Sequence, residues 1–246
     1  MSKNNFLQAF KVSVPVLFGY LALGMGFGLL LVEDGYPFWL TPIMSIFMYA
    51  GAGQYVAIGL FAANANLGMI MITELLVNIR HIVYGLSLIN KFHGCGKWKP
   101  YMIFALTDET YSLLTTTNVP EGANKASFYG TIALLDHIYW ITGTTLGSVL
   151  GLILKSTTNI DLGGVDFALT ALFTVLLIEQ ILNSKDFVPP LIGGATTVLC
   201  IILWKINILP NANSILLASL AAGIVMILLI KKDKTEQITQ TEENDK

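Results

Sequence analysis

The chain has 246 residues, 54% of them hydrophobic and only 12% charged, about half the charged share of an average soluble domain. A formal net charge of -2 and the lack of any basic block exclude a nucleic-acid partner. Two cysteines, Cys95 and Cys200, match no metal or redox spacing and set no disulfide framework.

Apolar runs of the roughly 17 to 25 residues that cross a bilayer recur along the whole length. The expected fold class is therefore all-α, a polytopic helical membrane protein. A membrane β-barrel would show short alternating segments between turns, and these are missing. Eight hydrophobic segments are predicted, near 12–32, 38–62, 67–89, 101–117, 127–154, 165–183, 187–204 and 213–230, with seven or eight true crossings. The first is too long for a signal-peptide core and has no cleavage site behind it. One membrane domain is expected over 1–230. The polar run KKDKTEQITQTEENDK at 231–246 reads as a solvated, disordered tail. With eight crossings, the side bearing both termini carries seven lysines against five, leaving out Lys246 and Arg80. That excess points to cytoplasmic termini. The basic 91–99 loop opposes it, which a re-entrant early segment would explain.

The first segment carries Gly24, Gly26 and Gly28. The second reads SIFMYAGAGQYVAIGLF, with Gly51, Gly53 and Gln54 at its centre. Glycines two apart do not share a helix face, and an amide sits beside them. The pattern predicts a broken helix near 50–54 that bares backbone groups to a cavity, rather than a plain helix contact.

The third segment, TELLVNIRHIVYGLSL at 73–88, holds the densest buried polarity. At about 100° per residue, Glu74, Asn78, His81 and Gly85 form one stripe. Arg80 lies about 100° away, nearer Thr73 and Tyr84. Each ionised group facing lipid costs at least ~2.5 kcal/mol, so partners inside the protein are required. The fourth segment, FALTDETYSLL, offers Asp108 and Glu109, and the fifth, IALLDHIYWITG, offers Asp136 and His137. In the fifth, Gly143, Gly147 and Gly151 form a small-residue ridge for close helix contact. Asp136 and Trp140 share a stripe there, which turns Asp136 toward the bundle. Buried pairs add little net stability, so a substrate or proton path is favoured over structural glue. Asp166 and Glu179, near segment ends, read as solvated interface charges.

Several catalytic readings find no support. No phosphate-binding loop follows a strand, and no Ser or Cys sits in a nucleophile elbow. His81 and His137 stand on different helices without the further ligands a zinc site needs. No metal and no cofactor are expected.

YAGAGQYVAIGL (49–60), LLVNIRHIVYGLSL (75–88), LTDETYSLL (106–114), LLDHIYWITGTTLGSVLG (134–151) and DFALTALF (166–173) together resemble the AzlC-type large subunit of the branched-chain amino acid exporters. At 137 the family often has a residue other than His. The resemblance implies a multi-pass permease of a prokaryotic plasma membrane, exporting leucine, isoleucine and valine, with a small AzlD-type membrane subunit as partner.

An aliphatic amino acid is a zwitterion with an apolar side chain. Its carboxylate suits Arg80 or the bared backbone at 51–54, so Gly51, Gly53, Gln54, Asn78 and Arg80 are candidate substrate-binding residues. Its ammonium suits Glu74, Asp108, Glu109 or Asp136. With no nucleotide motif, proton exchange through His81 and a carboxylate is the simplest driving force. Glu74, His81, Asp108, Glu109 and Asp136 form the expected proton and charge network. Two rival classes remain: a channel with Gly26-Phe27-Gly28 as its filter, and an intramembrane enzyme using Asp108 and Asp136.

Overall fold

The computed structural model describes residues 3–157 and 187–206, with further positions at 174, 177–178, 181–182, 208, 218–219, 221–223 and 225–226. The chain divides into two compact units, Met1–Phe173 and Thr174–Lys246. In the first, the described elements are α1 (Lys3–Glu33), α2 (Leu40–Phe47), α3 (Gly51–Ala62), α4 (Leu67–Ser87), α5 (Trp98–Phe104), α6 (Asp108–Thr116) and α7 (Lys125–Thr157). In the second, α8 (Val188–Lys205) opens with two prolines in its first turn, where their missing N–H groups would be unpaired in any case.

Every described element is helical, and four helices are long and apolar enough to cross a membrane: Asn5–Glu33, Leu67–Ser87, Lys125–Thr157 and Val188–Lys205. They correspond to the first, third, fifth and seventh predicted segments. The second and fourth are each split in two, as α2/α3 and α5/α6. The sixth and eighth, with Asp166, Glu179 and the 231–246 tail, lie mainly or wholly outside the described residues.

The first unit is organised on the pair α1 and α7, which pack along much of their length. The contact is made by backbone. A Cβ on Gly143 would strike the Tyr20 carbonyl, and one on Gly147 the Met25 carbonyl. A Cβ on Gly28 would run into the backbone of Thr144 and Ser148, and one on Gly24 into Gly143 and Thr144. Gly24 and Gly28 are thus the α1 half of this contact, inside an unbroken helix. α3 is held to α1 by Tyr55, whose hydroxyl donates to the Leu23 carbonyl at 2.7 Å while its ring meets Phe27 edge-on. α4 packs on α3 and leaves Leu75, Ile79, Ile82, Val83 and Leu86 exposed. An apolar face of that kind suits lipid.

Gly147→Ala is expected to lower stability by roughly 1–3 kcal/mol, the usual cost of forcing atoms into a filled contact. Gly59→Ala, whose added Cβ meets nothing within 4 Å, should be neutral or slightly stabilising. Thermal unfolding of the purified variants compares them. Equal melting temperatures would show that the ridge does not carry the α1–α7 contact.

Candidate functional site

Two chain breaks face the α1–α7 pair. The first lies at 48–50, just ahead of the predicted position. Met48 and Tyr49 both donate their N–H to the Met44 carbonyl, closing α2. Tyr49 then adopts φ +40°, and Ala50 is extended at φ -136°. A non-glycine residue in the left-handed region costs on the order of 1–3 kcal/mol. Burial holds it there: Tyr49 is 2% exposed, and its ring stacks on His137 at 4.2 Å. α3 begins when Gln54 N–H reaches the Ala50 carbonyl, and no side chain caps this end. The predicted glycines therefore occupy the first turn of α3 rather than the break.

Their small size has a local reason. A Cβ on Gly51 would touch the Trp140 ring at 3.0 Å, and one on Gly53 would press on Glu74 Oε2 and Asn78 Nδ2 at 2.6 and 2.7 Å. Gln54 is fully buried, and its amide is engaged at both ends. It accepts from Trp140 Nε1 at 2.7 Å and donates to Ser45 Oγ at 3.1 Å. Ser45 in turn meets Thr144 at 2.8 Å, and its carbonyl meets His137 Nε2 at 3.1 Å.

The second break, at 105–107, interrupts the predicted continuous segment 101–117. Thr107 is extended (φ -104°, ψ 178°), and its hydroxyl caps α6 by accepting from Thr110 N–H. Asp108 and Glu109 follow in the first turn, beside the positive end of the helix. Threonine followed by two acids is an N-terminus signal that the uniform hydropathy of 101–117 concealed.

These breaks sort the ionisable groups. Arg80 finds its partner in Asp108 at 2.8 Å, and Tyr84 donates to the same carboxylate at 2.6 Å. Asn78 donates to Glu74 at 2.9 Å. Glu109 accepts from Tyr20 at 2.9 Å. Asp136, 0% exposed, accepts from Thr110 at 2.8 Å through one oxygen and leaves the other without a partner. His81 makes no hydrogen bond among the described residues, and none joins it to Glu74, so the expected His81–Glu74 proton step lacks a direct link. Outside the spans, burial and the nearby Lys125 hold the Lys91 ammonium below its ordinary range, while it donates to the Thr115 and Thr117 carbonyls at the end of α6. Among the described residues no group of three His, Cys, Asp or Glu side chains gathers as a metal site. Sequence reasoning passed over Tyr20, Thr107 and Thr110, whose hydroxyls tie Glu109 and Asp136 to the scaffold, and Ser45 and Thr144, whose hydroxyls support the Gln54 amide. It also passed over Tyr49, whose ring stacks on His137 while its buried hydroxyl has no hydrogen-bond partner among the described residues.

Spans of this length around an interior of carboxyls, hydroxyls and interrupted helices define a helical membrane protein with a polar core. Residues 15–154 match the family described as AzlC protein. Over 233 residues, covering 94% of this chain and 88% of the relative, the sequence is 34% identical to the branched-chain amino acid transport protein AzlC of Bacillus subtilis (strain 168). It is 38% identical over 234 residues to an uncharacterized membrane protein of Helicobacter pylori (strain ATCC 700392 / 26695), covering 93% of this chain and 98% of the relative. Inner membrane protein YgaZ of Escherichia coli (strain K12) is 28% identical over 188 residues, 74% of this chain and 75% of the relative. No solved structure matches the chain. The chain belongs to the AzlC protein family.

Arg80→Ala is expected to destabilise the fold by stranding Asp108, and adding Asp108→Asn should restore most of the loss. A coupling of roughly 0.5–3 kcal/mol is expected for residues in direct contact. Additive losses in chemical unfolding of the single and double variants would deny the pair any energetic role.

Proposed function

We propose that the chain is a permease that exports branched-chain amino acids across the cytoplasmic membrane of a prokaryote, driven by protons and working with a small AzlD-like membrane subunit. The membrane domain 1–230 acts as one transport unit in this reading. Family membership supports amino-acid transport, and the printed name of the Bacillus subtilis relative supports the branched-chain class.

The observation that carries the reading is the pair of interrupted helices whose inner ends meet the half-buried Glu74, Asp108 and Glu109 and the buried Asp136. Helix ends at membrane depth survive where they line a protected site. The uncapped N–H groups at the start of α3 suit a substrate carboxylate, and Arg80, which is paired with Asp108, is the candidate cation for it. Glu74, whose second oxygen is buried without a partner, and Asn78, whose carbonyl oxygen is likewise unpartnered, suit the substrate ammonium. The apolar helices on every side receive the aliphatic side chain.

Reconstituted protein should exchange labelled leucine for unlabelled leucine, saturably, and should accumulate it when a pH gradient is imposed. A single-channel current without saturation would replace the carrier by a channel. In the same assay Gly53→Ala should lower transport roughly tenfold, equivalent to about 1.4 kcal/mol. The new Cβ displaces only the flexible ends of Glu74, Asn78 and Met48, so the variant should still insert and fold. Transport at the parent rate would mean that the Gly53 contact serves packing alone.

A further inference from the structure

Four hydrogen bonds run end to end between two carboxyl groups. Glu109 Oε2 accepts from the Tyr20 hydroxyl at 2.9 Å, and that hydroxyl is bonded to Thr107 Oγ1. Thr107 Oγ1 donates to Thr110 Oγ1 at 3.0 Å, and Thr110 Oγ1 donates to Asp136 Oδ2 at 2.8 Å. Tyr20, Thr107, Thr110 and Asp136 are all buried. Among the described residues neither Glu109 nor Asp136 has a cation within ion-pair distance, since Arg80 is taken by Asp108.

Each link between two oxygens needs one proton, and the three hydroxyls bring three for four links. With both carboxyl groups ionised, Tyr20 donates to Glu109 while Thr107 and Thr110 donate toward Asp136. Tyr20 and Thr107 then face each other with no proton between them. One proton on either carboxyl group turns the whole row to point one way and completes all four bonds. A second would leave two donors opposed. The run is satisfied by one added proton and by no other number.

Among the described residues the one further charged group that faces the run is Asp108, itself paired with Arg80. Asp136 is faced by Tyr20 of α1, Tyr49 of the first break, Tyr101 of α5, Glu109 of α6 and Tyr139 of its own helix. Glu109 is faced by Tyr20, Tyr49 and Tyr84, and by Asp108. His137, next to Asp136 in the chain, has both ring nitrogens engaged, by Tyr101 and the Ser45 carbonyl.

We propose that Glu109 and Asp136 bind a single transferable proton between them, carried on a wire formed by Tyr20, Thr107 and Thr110. In one direction Asp136 gives its proton to Thr110, Thr110 passes its own to Thr107, Thr107 to Tyr20, and Tyr20 to Glu109. The negative charge moves from Glu109 to Asp136, and every oxygen but the terminal two keeps its proton count. Tyr20 and Asp136 stand on the rigid α1–α7 pair, whereas Thr107, Glu109 and Thr110 stand at the start of the short helix α6. The added proton therefore also completes the bonding of α6 to the scaffold, and its loss opens a link between them. This names the site of the driving proton in the transport reading above, and it rests on that reading only where transport is measured.

Infrared difference spectroscopy of the full-length protein in lipid nanodiscs reads the C=O stretch of protonated carboxyl groups. Asp136→Asn, Glu109→Gln and the double variant should each lose the same absorbance, that of one carboxyl group. An amide at either end donates to the wire and removes its need for the proton. Losses that add in the double variant, or a single variant without loss, overturn the shared proton. Tyr20→Phe keeps the ring against Trp140 and cuts the wire. It should retain leucine exchange at equal concentrations and lose accumulation driven by a pH gradient. Accumulation at the parent level, or loss of exchange as well, overturns the wire as the coupling route. If the parent protein carries no leucine at all, the transport reading fails, and the infrared count still decides the shared proton by itself.

Discussion

The close approach of α1 to α7 is the constraint on which the rest of the first unit depends. Glycines on both helices remove the side chains that would otherwise separate them, and the two backbones meet directly. In lipid the hydrophobic effect does not drive helices together, so close packing of this kind supplies much of the attraction. It also fixes positions. Tyr20 lies beside Trp140 with ring centroids 5.2 Å apart, and Asp136 sits one turn before Trp140 on the same face of α7. A shift along this contact would move a hydroxyl and a carboxyl of the polar core together.

Against this pair the chain places helices that are too short to span. At 1.5 Å per residue, α2 and α3 are about 12 and 18 Å long, and neither crosses a ~30 Å hydrocarbon core. Their interruption is made by a strained Tyr49, and the strain is offset by burial of its ring against His137. The α5/α6 break is relaxed instead. Thr107 is extended, and its hydroxyl caps the helix that follows. The two breaks therefore reach similar architecture by different means. One is imposed by tertiary packing, and the other is encoded in three consecutive residues.

The charge arithmetic of the interior explains why the polar groups fall into separate sets. Arg80 faces four carboxyl groups in the sequence of α4, α6 and α7 and can neutralise one. Proximity gives it Asp108. The remaining three rely on neutral donors: an amide for Glu74, a phenol for Glu109 and an alcohol for Asp136. Neutral donors stabilise a buried carboxylate less than a cation does. A structural network would have been cheaper to build from apolar side chains.

The sequence by itself determined the helical class, the long apolar spans, the glycine ridge on α7 and the stripe that carries Asp136 inward, because periodicity and hydropathy are properties of a single helix. It placed the first break within a few residues, since glycines flanking an amide are a local signal. It missed the second, although Thr107-Asp108-Glu109 carries one, because the surrounding hydropathy is continuous. Only the tertiary structure decided which acid Arg80 meets, which glycine faces Glu74, and how three hydroxyls from two helices and a break line up between Glu109 and Asp136. Those contacts join residues as far apart as 20 and 109. No pattern within one segment specifies the rotation of that helix relative to another.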